Sequence, residues 1–151
     1  MPSTSTALRK RADPRPRYSA ARKRKPAILI VDSEAPIRMA LSGFLQDCGF
    51  KIFETSSAAE TLKILKDSAV PLDLVLADVH LPGKIDGFQL AASIRSSYPH
   101  IEVMLVAGDA NKAKRAEQLC AEEPFFAKPY DLRHVVLVLR ATMQKRARKD
   151  D

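Results

Sequence analysis

The chain is predicted to fold as an α/β domain, with a doubly wound five-stranded parallel sheet and helices on both faces. Three observations lead there. Short, uninterrupted apolar runs rich in β-branched residues recur along the chain, the pattern of strands buried on both faces rather than one. Between them, apolar residues return at helical spacing. The composition is that of an ordinary soluble domain: 151 residues, 46% hydrophobic and 28% charged, enough for one core. No apolar run approaches the ~18 residues of a membrane span. Cys48 and Cys120 are the only cysteines, and the three histidines form no metal-ligand array, which argues against a disulfide framework or a structural zinc site.

The first strand is expected at Ala27–Val31, a continuous Ala-Ile-Leu-Ile-Val run. Ile37, Leu41, Phe44, Leu45 and Cys48 then repeat with helical period, with Pro36 tolerated in the first turn and Gly49 as the stop. A second strand is expected at Phe50–Glu54. Ser57 and Glu60 have capping-box spacing, and Ala58, Leu62, Leu65 and Ala69 form the stripe of the helix they open. A third strand, Leu72–Ala77, ends at Asp78. A loop containing Pro82, Gly83 and Gly87 leads to a helix with Phe88, Ala91 and Ile94, stopped before Pro99. Ile101–Ala107 is the fourth strand, followed by a polar helix over Ala110–Ala121. Phe125–Ala127 is a short fifth strand, and Asp131 caps a last helix carrying Leu132, Val135, Val136, Leu139 and Met143. Strands alternating with helices give right-handed crossovers. The common five-stranded solution is the flavodoxin-like order 2-1-3-4-5, which places ligands at the carboxyl ends of the strands beside the switch point.

Charge is distributed unevenly. Residues 1–26 carry nine Lys/Arg against Asp13, residues 144–151 carry four against Asp150 and Asp151, and residues 27–143 carry 12 basic against 15 acidic groups. The net +7 thus belongs to the ends. Pro14, Pro16, three serines and few large apolar residues leave segment 1–26 nothing to bury, so it is expected to be a disordered basic tail. The folded unit is expected at 27–143 and a charged C-terminal tail at 144–151. No apolar core follows the first charges, against a secretory signal, although an Arg- and Ser-rich start also has the composition of a transit peptide. Such a tail can touch nucleic acid or anionic lipid weakly. With Tyr18 as its one aromatic residue, no specific nucleic-acid binding is expected.

The residues that follow the strands carry the chemistry. After strand one come Asp32, Ser33 and Glu34; after strand three, Asp78; after strand four, Ala107, Gly108 and Asp109; after strand five, Lys128 and Pro129. The topology gathers Asp32, Asp78 and Lys128. Two carboxylates offer hard oxygen ligands for Mg²⁺, an ammonium beside them suits phosphate, and a carboxylate can act as nucleophile.

Residues 27–143 are similar from end to end to the bacterial response-regulator receiver domain, the CheY-like form of this fold. The resemblance rests on Ile28–Glu34, on Asp78–Gly83, on Asp86 with Gly87, and on Lys128, Pro129 and Tyr130, in that order. It implies that Asp78 accepts a phosphoryl group from a histidine kinase or phosphotransfer protein and that Lys128 contacts the phosphoryl oxygens. Asp32 and Asp78, with the His80 backbone carbonyl, would hold Mg²⁺. Phe125 has the place of the switch aromatic, and equally that of a core aromatic. Ser33 stands where the family usually has a second acid, and Ala107 where it has Thr or Ser. Glu34 has the place of a residue that is not a ligand in the family. The Leu81–Gly87 turn is one residue longer than the commoner form.

The implied protein is a cytoplasmic, stand-alone, single-domain signalling receiver, not an enzyme and not bound to membrane. With eight residues after Met143, its output would be a protein–protein contact, onward phosphotransfer or competition for a kinase, and a homodimer is compatible with it. A flavin or nucleotide enzyme would need glycine in the turn after strand one, which Asp32–Pro36 lacks. A phosphatase with an aspartyl nucleophile would want an acid where His80 stands. The serious rival is a degenerate receiver, binding partners without phosphorylation because of Ser33 and Ala107. His80, His100 and His134 are expected to face solvent or pack partly.

Overall fold

The computed structural model describes residues 24–67, 69–108, 125–128 and 131–149. The helix expected over Ala110–Ala121, the segment before Arg24, Cys120, Pro129, Tyr130 and the side chain of Phe125 lie outside the described residues.

Five parallel strands, β1 (Ala27–Val31), β2 (Lys51–Thr55), β3 (Leu74–Asp78), β4 (Glu102–Ala107) and β5 (Phe125–Ala127), form one sheet in the order β2-β1-β3-β4-β5. This is the predicted order, with boundaries moved by one or two residues. Helices α1 (Ala35–Asp47) and α4 (Leu132–Lys149) cover one face; α2 (Ala58–Lys66) and α3 (Gly87–Ser97) cover the other. The central strands explain the uninterrupted runs. Ile28, Ile30, Leu74, Leu76, Met104 and Val106 point into the core beneath α1 and α4, while Leu29, Val31, Val75, Ala77, Val103 and Leu105 point to the α2 and α3 side. Alternate residues of one strand therefore serve two cores, and polar side chains in β3 and β4 are confined to the strand ends, at Asp78 and Glu102.

Local chemistry sets the helix ends. Ser57 caps α2 by accepting from the Glu60 N–H at 3.2 Å, but the Glu60 carboxylate reaches back to Ser56, one residue before the cap. The reciprocal box occurs instead at α3, where Asp86 and Gln89 exchange bonds of 2.8 and 3.0 Å. Gly49 ends the α1 turn at φ +96°, a left-handed geometry that carries no Cβ penalty in glycine. Ala69, expected on the α2 stripe, lies beyond the end of that helix and is exposed, because the chain turns at Asp67, which accepts from the Ala69 N–H.

Two expectations about the ends are corrected. The last helix does not give way to a tail after Met143 but runs to Lys149. Arg146 holds it, bonding Glu102 at 2.8 Å and the Pro99 carbonyl. At the other end, Arg24, placed in the basic tail, makes a two-pronged bond to Asp73 at 2.8 and 3.0 Å, and Asp73 also accepts from the Ala27 N–H. No described helix is long and apolar enough to cross a membrane.

Gly87 opens α3 directly against the end of β3. Its N–H donates to the Val79 carbonyl at 3.0 Å, and a Cβ there would collide with the Asp78 carbonyl oxygen and stand 2.6 Å from the Val79 Cα. These atoms, and the Asp78 carbonyl carbon at 2.8 Å, are all backbone, so nothing can swing aside. Gly87→Ala is expected to destabilise the fold by at least about 1–3 kcal/mol, the range for overpacking, in urea denaturation.

Candidate functional site

The carboxyl edge of the sheet carries a compact charge cluster at the switch point. Asp32 follows β1 and Asp78 ends β3; they are 4% and 6% exposed. Each is aimed by a turn that bends back on it: the Glu34 N–H donates to Asp32 Oδ1 at 2.8 Å, and the His80 N–H donates to Asp78 Oδ1 at 2.9 Å. One oxygen of each carboxylate is thereby fixed by its own chain, and the other faces the cleft.

Lys128 occupies that cleft. Its Nζ lies 2.7 Å from Asp78 Oδ2, 2.9 Å from Asp32 Oδ2 and 3.4 Å from Glu34 Oε1. The strand that delivers it is zipped to β4 up to its last residue, the Lys128 N–H donating to the Ala107 carbonyl at 2.8 Å. Burial by itself lowers the Lys128 pKa. The hydrogen bonds and charges of Asp78 and Asp32 outweigh it and hold the ammonium above the ordinary lysine range. A raised lysine pKa stabilises the fold fully below the unfolded value and loses that contribution only as pH climbs through the folded one. The cluster therefore keeps its cation throughout the neutral range.

Asp32, Asp78 and Lys128 are thus brought together as the sequence implies. Ala107 sits directly behind Lys128, buried, with no hydroxyl to offer. His80 approaches through its backbone N–H and its residue is exposed. Ser33 is exposed and makes no part of the cluster, whereas Glu34 does. One carboxylate oxygen from each of Asp32, Glu34 and Asp78 lies within 4.8 Å of the other two. The Asp-x-Glu spacing carries the signal for this, since a turn that folds the Glu34 N–H onto Asp32 also returns its side chain to the cleft.

Arg38 was not legible as a site residue. From the first turns of α1 it donates to the Asp32 carbonyl at 2.6 Å and pairs with Glu54 at 3.3 Å, clamping the turn after β1 to β2. His100 and His134 are exposed, as expected. Cys48 is a half-buried free thiol.

Three carboxylates and one ammonium leave a formal charge of −2 in a half-enclosed cleft. Hard oxygen donors without sulfur or imidazole fit Mg²⁺, and the excess negative charge favours a divalent cation. Lys128→Met removes the one cation from the cluster. It is expected to lower stability by roughly 1–3 kcal/mol without divalent cation, the exposed Glu34 contact adding little. Millimolar Mg²⁺ should restore more stability to the variant than to the parent, as thermal denaturation with and without the ion would show.

Comparison with known proteins agrees with this geometry. The pattern of the response regulator receiver domain matches residues 28–140. The response regulator protein FleR of Pseudomonas aeruginosa is 34% identical over 108 residues, 70% of this chain and 22% of FleR. The heme response regulator HssR of Staphylococcus aureus is 26% identical over 78% of this chain and 51% of its own length. The chain thus spans about half, or less, of these curated relatives. Among solved structures, the signal receiver domain of an HD domain-containing protein from Pseudomonas fluorescens Pf-5 superposes with a TM-score of 0.73 at 29% identity, covering 82% of this chain and 98% of that one. A match to the family over residues 28–140, most of the sheet and helices, shows that the chain belongs to the response regulator receiver domains of two-component systems.

Proposed function

We propose that this receiver accepts a phosphoryl group on Asp78 from a histidine kinase or histidine phosphotransfer protein and signals by protein–protein contact. The observation that carries the reading is the setting of the Asp78 carboxylate. It is buried at a strand end, with Oδ1 fixed by a backbone N–H and Oδ2 facing an ammonium. In the transfer, an Asp78 oxygen forms the new bond to phosphorus, the bond from phosphorus to the donor atom breaks, and the donor keeps that electron pair. Such transfers need positioning and charge neutralisation more than covalent assistance.

Each residue then has a task. Lys128 exchanges a carboxylate oxygen for a phosphoryl oxygen as its acceptor, a charge-assisted bond in either state. Asp32, Asp78 and the His80 carbonyl would hold Mg²⁺, which when bound neutralises charge between the carboxylates and the incoming phosphoryl group. Glu34 takes over the charge that Ser33 does not supply. The receiver is itself the phosphorylated species and turns over no substrate of its own.

Incubation with Mg²⁺ and a small acyl phosphate is expected to add the mass of one phosphoryl group, stable to acid and labile to base. Asp78→Asn should abolish it, while Lys128→Ala should uncouple labelling from partner binding. Labelling that survives Asp78→Asn would overturn the reading. Partner binding that never depends on labelling would favour the degenerate receiver, the reading that Ser33 and Ala107 support.

Two further variants test the rearranged charge. Glu34→Gln should weaken Mg²⁺ binding threefold to tenfold, a modest effect because Glu34 is largely solvated, and Ser33→Asp should strengthen it, both by calorimetric titration. Ala107→Thr should enlarge the phosphorylation-dependent NMR shifts around Lys128 and Phe125, by adding a hydrogen bond of the kind worth ~1.5–3 kcal/mol to a charged group.

A further inference from the structure

The strand ends that build the cleft are held in two different ways. Main chain holds β3 and β5: the Val79 N–H donates to the Val106 carbonyl at 2.9 Å, and the Lys128 N–H to the Ala107 carbonyl at 2.8 Å. β1 runs on into Asp32, whose N–H donates to the Thr55 carbonyl at 3.1 Å. The Asp32 carbonyl, however, is taken by a side chain. Arg38, half-buried near the start of α1, gives Nη1 to that carbonyl at 2.6 Å and Nε to Glu54 Oε1 at 3.3 Å. Glu54 lies on β2, the edge strand beside β1.

The ion pair by itself accounts for little of this arrangement. Glu54 is exposed, and a pair with an exposed carboxylate contributes little to stability. A carbonyl, moreover, needs a donor and not a cation. What the guanidinium adds is geometry, because its planar fork fixes two acceptors at once in set directions. The consequence reaches the cleft through the backbone. Turning the Asp32 carbonyl away rotates the peptide that leads to Ser33 and Glu34. The Glu34 N–H, which fixes Asp32 Oδ1 at 2.8 Å, moves with it, and so does the Glu34 side chain. Two of the three carboxylates that converge in the cleft therefore take their positions from one carbonyl bond. Mg²⁺ demands near-ideal octahedral geometry, so a small displacement of either acid is felt at the ion.

We propose that Arg38 is a positioning residue for the divalent cation, presetting the Asp32 and Glu34 carboxylates through the Asp32 carbonyl while Glu54 holds the guanidinium in place. This role rests on the cleft holding Mg²⁺, as proposed above. Its effect has a sign that separates positioning from charge. Arg38 is a cation bonded to a residue that would hold the ion, so on charge alone its removal strengthens the attraction for Mg²⁺. Loss of positioning weakens it.

The test is calorimetric titration of the unphosphorylated full chain with Mg²⁺, for the parent, Arg38→Met and Arg38→Lys. Both variants are expected to bind roughly 3–10-fold more weakly, a smaller effect than the ~10–100-fold of partners bonded directly to a metal ligand. Lysine keeps the charge, but its single ammonium does not reproduce the directions of the fork. Adding Glu54→Gln to Arg38→Met should change the affinity by less than about twofold, because Glu54 acts through Arg38 and its own charge is exposed and screened. Thermal denaturation supplies a second readout. A clamp serving the fold alone would lower the midpoint equally with and without millimolar Mg²⁺, whereas a positioning residue shrinks the rise that Mg²⁺ produces. Affinity in Arg38→Met equal to or above that of the parent would overturn the proposal, and so would parental affinity in Arg38→Lys. Failure of Arg38→Lys to fold would make Arg38 a residue of the fold and overturn it too. A parent chain that binds no Mg²⁺ would remove the metal reading itself, so the parent's own titration tells the two failures apart.

Discussion

Two aspartates that end adjacent strands of a parallel sheet repel each other where water is scarce, and the Lys128 ammonium between them offsets that repulsion by bonding to both. The bonds of 2.7 and 2.9 Å from a single Nζ join β1, β3 and β5, strands that are not all neighbours in the sheet. The same contact thus closes the carboxyl edge and builds the site. Its geometry depends on backbone order behind it: β5 has only three residues, and the Lys128 N–H continues its ladder onto Ala107. A phosphoryl group placed on Asp78 would change the acceptor Lys128 faces, and with it the tension between the three strands. That is how a local charge event can reach the surface of a packed domain.

What the sequence revealed and what it hid divide along a physical line. The central strands were legible because burial on both faces forbids polar residues, so β1, β3 and β4 stand out as unbroken runs. Strand order followed from the alternation with helices, and Asp32, Asp78 and Lys128 followed from their places after strands. Gln144–Lys149 was misread as a tail because a solvated helical extension has no apolar stripe. Its order comes from Arg146 reaching Glu102, 44 residues away in sequence, and no local pattern encodes such a contact. Arg24 on Asp73, 49 residues apart, is the same case. Gly87 was read as a loop glycine; its true constraint is the backbone of Asp78 and Val79 pressed against it.

The site residues that depart from the family's pattern are better understood as a redistribution of charge than as a loss. Ser33 is neutral and faces solvent, yet Glu34 returns a carboxylate to within 4.8 Å of Asp32 and Asp78. Moving the acid by one position changes its setting, for Glu34 is exposed where Asp32 and Asp78 are buried. Its field is therefore more strongly screened, and its side chain must be ordered from a freer state. Ala107 is a different matter, because its methyl group offers no hydroxyl where the family usually has Thr or Ser. A phosphoryl group can favour an active conformation only through contacts that differ between the two states. Removing one such contact narrows the population shift even when phosphorylation itself proceeds.

The two edges of the sheet then divide the electrostatic work of the molecule. Acidic groups concentrate where the strands end, around Asp32, Glu34 and Asp78, and the described cations Arg24, Lys25, Lys145, Arg146, Arg148 and Lys149 lie where the strands begin. The separation is consistent with the helices, whose positive ends lie at the acidic edge and whose negative ends lie at the basic one. Arg24 and Arg146 make this arrangement structural rather than statistical, since each ties its segment to an acid at the start of a strand. Salt weakens the pairing of these exposed charges before it disturbs the short, half-buried bonds of the Lys128 cluster, because screening acts first on exposed charges. The two edges therefore differ in how firmly their charges are held: buried and bonded at the Lys128 cluster, exposed and screened where the strands begin.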